Sequence, residues 1–373
     1  MPINVLVVDD SVVIRRLVST VLEEDPDIRV AGTAANGRLA LAKLPSVAPD
    51  LITLDIEMPE LDGLGTLREL RKTDRTTPVV MFSTLTERAA KATLEALALG
   101  ANDYVTKPAN VGSVAAGMES VRAELIPKIK SLRPDLLSAR PARLRPAALP
   151  SSGTGQTAVR PATATNDVAP QVLAIGCSTG GPEALAQVLQ ALPRDLPVPI
   201  VAVQHMPPVF TAMFAQRLNA SCGLTVREAR DGDALVPGTV LIAPGDHHMR
   251  VRRTGPRTVV TLDQGPQENF CRPAVDPLFR SVADVYGGAA LAVVLTGMGS
   301  DGRRGAEQLR ELGCEVVVQD EQTSVVWGMP GAIATAGLAT AVLPLNQVAP
   351  AVLRSLGRAA TQPTPQLVAG GPA

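Results

Sequence analysis

Ser178, His205 and Asp301 are the residues best placed to do chemistry. Ser178 sits in Gly176-Cys177-Ser178-Thr179-Gly180-Gly181, after the apolar run Val172–Ile175 and before a helix opened by Pro182-Glu183. A serine at a strand-to-helix turn projects its hydroxyl above the sheet, as in a nucleophile elbow. The helix N-terminus beneath it favours developing negative charge. Glycine-rich strand–helix turns also cradle phosphates, but no Walker lysine follows and the GxGxxG spacing is not met. A nucleophilic serine needs a base, and the chain has three histidines. His205 follows the run Ile200–Val203 in the loop QHMPP, whereas His247 and His248 share the turn PGDHHM. A lone histidine is commonly structural, so position decides, and it favours His205. Asp301, in TGMGSDG after the run Ala292–Leu295, could orient the imidazole and stabilise its protonated form. Taken alone, Asp301 reads as an Asx-turn residue. The order Ser, His, Asp differs from the Ser, Asp, His order of α/β-hydrolases, so a generic hydrolase label does not fit.

A second constellation lies in the first third of the chain. Asp9 and Asp10 follow the first apolar run and Asp55 follows the third. The C-terminal ends of parallel strands open onto one edge, where these three carboxylates would converge. Mg²⁺, a hard cation that prefers oxygen, suits them. Ser83 and Lys107 follow the next two strands, placing a hydroxyl and an ammonium beside a phosphoryl group carried on Asp55. Any one of these aspartates alone is explained as a helix N-cap; five polar positions in register are not.

The elements that must hold these groups follow from periodicity. Strands are expected at Val5–Val8, Ile28–Ala34, Leu51–Leu54, Val79–Phe82 and Asp103–Thr106, with helices near Val12–Glu24, Arg38–Leu44, Leu64–Lys72, Arg88–Leu99 and Ser113–Lys130. Five βα units with short connections imply a parallel, doubly wound sheet. Residues 1–125 form this first domain. Residues 126–170 are expected to be a Pro/Ala/Arg-rich linker; six prolines lie between Arg133 and Pro170, with no apolar periodicity. A second α/β domain, mainly parallel and doubly wound, is expected over 171–358, and a disordered tail over 359–373.

Composition removes several function classes. Hydrophobic residues are 46% and charged residues 19%, as in ordinary globular α/β protein, but aromatics are only 2%. Val, Leu, Ile and Ala must therefore build the cores. No apolar run is long enough to span a membrane, and the N-terminus carries acids where a signal peptide carries positive charge. A cytoplasmic location is the expectation. Four separated cysteines give neither a disulfide framework nor a zinc site. Residues 171–360 carry 15 Arg and no Lys against 16 Asp plus Glu, so the second domain is not built to wrap nucleic acid. A DNA-binding output domain and a non-catalytic scaffold with a decayed site are the competing classes. The first lacks a basic helix-turn-helix; the second is opposed by the intact Ser, His and Asp.

The motifs carry two resemblances. DD after the first strand, LDIEMPELDG after the third, FST after the fourth and KP after the fifth resemble a response-regulator receiver domain, a flavodoxin-like fold with a five-stranded parallel sheet. The resemblance implies that Asp55 accepts a phosphoryl group from a chemotaxis-type histidine kinase. It also implies that Asp10, Asp55 and the Glu57 carbonyl hold Mg²⁺ with support from Asp9, and that Ser83, Tyr104 and Lys107 transmit the change. IGCSTGGPEAL, VQHMP, APGD-x-HM, FCRPAVDPLF, LTGMGSDG and VVWGMP resemble the catalytic domain of chemotaxis protein-glutamate methylesterases. That resemblance implies Ser178 as nucleophile, His205 as general acid/base, Asp301 as orienting acid, the Met298 N–H as oxyanion donor and the Thr179 loop close by. It further implies cofactor-free hydrolysis of glutamate methyl esters on chemoreceptors, a second glutamine deamidase activity, a place at the periphery of receptor arrays without membrane insertion, and a resting state in which the receiver covers the Ser178 pocket. Two features depart from the family pattern: His247 stands where a basic or bulky residue is usual, and the linker is long.

Overall fold

The computed structural model describes residues 1–107, 114–138 and 168–360. Its first sheet is built from β1 (Ile3–Val8), β2 (Ile28–Ala34), β3 (Leu51–Asp55), β4 (Val79–Ser83) and β5 (Asp103–Thr106), in the order β2-β1-β3-β4-β5 with every pairing parallel. Apolar runs such as Val5–Val8 and Val79–Phe82 are buried on both faces, as a sheet covered by helices requires. Four of those helices start on side-chain caps, Ser11, Asn36, Asp62 and Thr86, each accepting a backbone N–H of the first turn. The strand order reverses between β1 and β3, which opens a crevice at their C-terminal ends. Asp9 and Asp55 stand there.

The expected linker start at residue 126 is corrected. The fifth helix runs Val114–Leu132 and a short helix, Pro134–Ser138, follows it. Leu125, Ile129 and Leu132 recur at helical spacing and are buried in the receiver core, so packing carries the helix through Pro127. Arg133 ties this end down through Asp50 and Asp135. The rest of the expected linker (139–167) and the tail from 361 lie outside the described residues. The last helix, Leu345–Ala360, extends the second domain two residues past 358.

That domain holds β6 (Val172–Cys177), β7 (Ile200–Gln204), β8 (Thr225–Glu228), β9 (Thr239–Ile242), β10 (His248–Thr254), β11 (Arg257–Asp263), β12 (Ala290–Val294), β13 (Glu315–Gln319) and β14 (Ala341–Leu343). Seven form a parallel sheet in the order β14-β13-β12-β6-β7-β9-β8, and β10 with β11 makes a separate antiparallel hairpin. From β6 the chain steps to β7 on one side and later returns through β12 on the other. The ends of β6, β7 and β12 are thus neighbours at a switch point.

The two domains share apolar packing. The receiver helix Glu87–Ala98 lies on the helices Gly181–Gln190 and Phe210–Ser221. Tyr104 at β5 is buried and stacks on Phe210, ring centroids 4.8 Å apart and 5° from parallel. Such a pair contributes ~0.5–1.5 kcal/mol beyond its area burial. No helix among the described residues is long and apolar enough to cross a membrane.

Candidate active site

Ser178 follows β6 at a turn whose backbone is pinned on several sides. Its N–H donates to Thr296 O at 3.0 Å, and its carbonyl accepts from Gly181 N at 2.8 Å and from Gln204 Nε2 at 2.9 Å. Gly180 has φ +75°, and a Cβ there would lie 2.5 Å from Val325. Gly297 permits the closest approach: a Cβ would lie 2.9 Å from the Ser178 Cβ. The neighbouring Cys177 points into the core, where burial pushes its thiol well above the usual range, so it is no rival nucleophile.

His205 and Asp301 meet across the sheet edge, with Nε2 2.8 Å from Oδ2. A carboxylate only accepts, so Nε2 carries the hydrogen. Asp301 is fully engaged. Its Oδ1 accepts from Asn269 Nδ2 (2.8 Å), Asp276 N (3.0 Å) and Gly302 N (2.9 Å), and its Oδ2 also accepts from Val275 N (2.6 Å). Burial alone would raise its pKa; these donors and the imidazole hold it below the usual carboxylate range. The other ring nitrogen, Nδ1, lies 3.4 Å from Cys271 Sγ. Burial disfavours charge on this ring, but Cys271 and Asp301 outweigh it and push the His205 pKa up to about 10. The Ser178 hydroxyl forms no hydrogen bond with His205, whose Nδ1 is taken by Cys271. His247 bonds Gly245 O and the buried His248 bonds Pro266 O, so neither competes for this acid.

Residues 173–352 match the sequence family described as CheB methylesterase, and residues 5–118 the response regulator receiver domain. A protein-glutamate methylesterase/protein-glutamine glutaminase of Nocardioides sp. is 54% identical, covering 95% of this chain and 96% of its own length. A protein of the same name from Trichodesmium erythraeum is 50% identical, covering 95% and 99%. The chain belongs to the protein-glutamate methylesterase/protein-glutamine glutaminase family. The solved catalytic domain of the Thermotoga maritima CheB methylesterase is 41% identical, covers 50% of this chain and 99% of its own, and has a TM-score of 0.49.

The two positions expected to donate to an oxyanion, Met298 and Thr179, both lie where the receiver meets the catalytic domain. Met298 is half-buried, and the Met298 and Thr179 N–H groups have no acceptor among the described residues. The Thr179 hydroxyl is buried and donates to Asp103 Oδ2 of the receiver at 2.5 Å. Met298 and Val326 pack with the receiver cluster containing Phe82, Val105 and Val121. The receiver therefore packs directly against the catalytic domain beside Ser178.

Sequence reasoning assigned no role to Asn269, Cys271 or Asp276. Asn269 Nδ2 bridges Asp301 and Asp276, which in turn accepts from Gly305 N at 2.8 Å. Burial raises the Asp276 pKa, so the bridge joins two carboxylates of opposite tendency. Two of the three stand in FCRPAVDPLF; their only signal was polar residues inside that motif.

The receiver residues also converge. The Asp9, Asp10 and Asp55 carboxylates have oxygens within 4.8 Å of one another. Lys107 Nζ lies 2.8 Å from Asp9 Oδ2 and 2.7 Å from Asp55 Oδ2, and neither oxygen has another partner. Burial, with the Asp9 charge, raises the Asp55 pKa to about 6 against the opposing pull of Lys107. Three close acids with under-satisfied oxygens fit a divalent oxygen-liking cation. Asp10, Asp55, Glu57, Thr84 and Lys107 line a cavity of about 230 Å³, and the Glu57 side chain turns out toward Arg88. Ser83 is buried, accepting from Thr93 Oγ1 at 2.8 Å.

Proposed function

We propose that this chain hydrolyses glutamate methyl esters on chemoreceptors, deamidates glutamines at the same site, and is switched on by phosphorylation of Asp55. The observation that supports the chemistry best is the His205–Asp301 pair, brought together from the loops after β7 and β12 on either side of β6, which Ser178 follows. Ser178 Oγ attacks the γ-carbonyl carbon while Nδ1 of neutral His205 takes its proton. Asp301 fixes the tautomer in which Nδ1 carries no hydrogen, and Nδ1 acts as base once its Cys271 contact gives way. The Met298 and Thr179 N–H groups stabilise the oxyanion. The tetrahedral intermediate expels methoxide, which leaves as methanol with the proton from His205. Water, deprotonated by His205, then releases the glutamate and restores Ser178. Glutamine follows the same path with ammonia leaving. No cofactor enters these steps.

Regulation rests on the receiver acting as a lid. Asp103 and Tyr104, at β5, hold Thr179 and Phe210, two residues beside the catalytic loops. A histidine kinase supplies the phosphoryl group to Asp55. Asp10, Asp55 and the Glu57 carbonyl, supported by Asp9, would hold Mg²⁺, which when bound neutralises the phosphoryl and carboxylate charge. Lys107 then exchanges a carboxylate for the phosphoryl group, and Ser83 and Tyr104 rearrange, loosening the stacking on Phe210. A docking bias of ~2.7 kcal/mol would leave about one molecule in a hundred open. The decisive measurement is methanol release from methyl-labelled receptor membranes, with and without a small phosphodonor. Removing residues 1–138 should raise the unstimulated rate toward the phosphorylated one; a truncated chain no faster than the unphosphorylated full-length protein would rule out simple occlusion. A cytoplasmic site of action, peripheral to receptor arrays, accords with this substrate.

A further inference from the structure

Four of the five phenylalanines are buried: Phe82 at 2%, Phe210 at 0%, Phe214 at 1% and Phe279 at 0% exposure. Phe270 is 97% exposed. A single exposed apolar residue is ordinary on a protein surface, but the backbone here is not ordinary. Glu268 and Cys271 exchange two backbone hydrogen bonds, 3.1 and 2.9 Å, around Asn269 at φ +52° and Phe270 at φ +63°. Positive φ at both central positions is the type I′ pattern, which favours Asn-Gly. Asparagine tolerates the first position. A bulky phenylalanine at the second is strained, and its ring gains no packing within the protein. Strain that the fold does not repay locally points to a use elsewhere.

The turn's anchors show where that use lies. Asn269 holds Asp301 at 2.8 Å, and Cys271 touches the His205 ring at 3.4 Å. Glu268 is clamped by Arg280 at 2.6 Å, and Arg272 grips Asp246 through Nε at 3.0 Å. Phe270 thus stands on a pinned turn at the rim of the site, between Asn269 and Cys271, which touch Asp301 and His205, and the docked receiver leaves it uncovered. A glutamate side chain is short, so the protein surface bearing the ester must press against this rim to bring its carbonyl to Ser178. We infer that Phe270 is a specificity-determining residue: it seats on apolar side chains flanking the esterified glutamate and selects glutamates on a protein surface over isolated esters. An aromatic on a pinned turn suits this work because the backbone is already ordered and the ring has few rotatable bonds to freeze on contact. The inference rests on the esterase reading above and deepens it.

The test uses the full-length chain with Mg²⁺ and a small phosphodonor, assayed on methyl-labelled receptor membranes and on the γ-methyl ester of an N-acetylglutamyl amide. Phe270→Ala should lower kcat/KM on receptor through KM, and that loss should exceed its loss on the small ester by about tenfold. Phe270→Trp should restore most of the receptor KM. Phe270→Gly should melt at a higher temperature than wild type while losing receptor affinity, because glycine suits the turn and lacks the ring. Equal losses on both substrates, or a glycine variant no more stable than wild type, would overturn the inference. A wild type that cleaves the small ester and leaves receptor untouched overturns the substrate reading and this inference with it. A wild type active on both, with Phe270→Ala indistinguishable from it, overturns the docking role alone.

Discussion

Two buried aspartates, Asp55 as the last residue of β3 and Asp301 in the loop after β12, both lie at the C-terminal edge of a parallel sheet, yet their surroundings are opposite. Both oxygens of Asp301 are saturated by five donors, four of them N–H groups and one an imidazole, and its pKa is depressed. Asp55 Oδ2 has only the Lys107 ammonium, shared with Asp9, and its pKa is raised to about 6. Hydrogen-bond saturation makes one carboxylate a permanent charge. Its absence leaves the other poorly stabilised and open to a new bond.

The largest effect that tests the separation is Ser178→Ala. It should cost ~10⁴-fold or more in esterase rate and leave phosphorylation of Asp55 intact, measured by methanol release and by phosphoryl incorporation. Residual turnover near ~1% of wild type would show that another nucleophile serves.

The same Asp→Asn change should then act in opposite directions at the two sites. At 301 an amide turns N–H donors toward N–H donors, so activity should fall ~10³- to 10⁴-fold and the domain lose about 3 kcal/mol in denaturant unfolding. At 55 the neutral amide escapes the burial penalty, and the receiver should gain about 1 kcal/mol while the enzyme stays at its unstimulated rate. Equal destabilisation at both sites would erase the contrast.

The pH profile sharpens it further. A protonated imidazole cannot accept the Ser178 proton, so the rate should fall as pH drops below the His205 pKa, with the limb lying well above 6.5 and toward 10. Cys271→Ala should move that limb downward. The stability contributed by His205 runs the other way: a raised folded pKa stabilises fully below pH 6.5 and loses that contribution as pH rises through about 10. A flat rate profile between pH 5 and 8 would remove His205 from the role of base.

The smallest effect belongs to the cation. Mg²⁺ should raise the melting temperature of the receiver by a few degrees, through mass action on the folded form, and Asp10→Asn should abolish the shift. A shift that survives this change would place the ion elsewhere.

Strand ends were what the sequence revealed best. Ser178, His205 and Asp301 each follow a run of β-branched or small apolar residues, and so do Asp9, Asp55, Ser83 and Lys107; one periodicity rule locates them all. Asn269 and Cys271 escaped because a turn with two positive φ values has no periodic signature, and the usual cue, glycine at the second position, is replaced by Phe270. The expected receiver end at residue 125 is too early, although the expected helix already runs to Lys130; Ile129 and Leu132 pack its last turns into the core. The contacts between the domains, Thr179 with Asp103 and Tyr104 with Phe210, join residues far apart in the chain and leave no local trace.

The stacked Tyr104–Phe210 pair has a thermodynamic corollary. If closing the lid and phosphorylating Asp55 are mutually exclusive, the two ends of the molecule must trade affinity in both directions. A bulky acyl group parked on Ser178 would then wedge the domains apart, as the phosphoryl group proposed at Asp55 would. An enzyme caught mid-turnover would then take a phosphoryl mimic at Asp55 more tightly, by the same factor with which phosphorylation opens the esterase. Substrate would prime its own receiver, and a dense patch of methylated receptors would retain active enzyme longer than a sparse one.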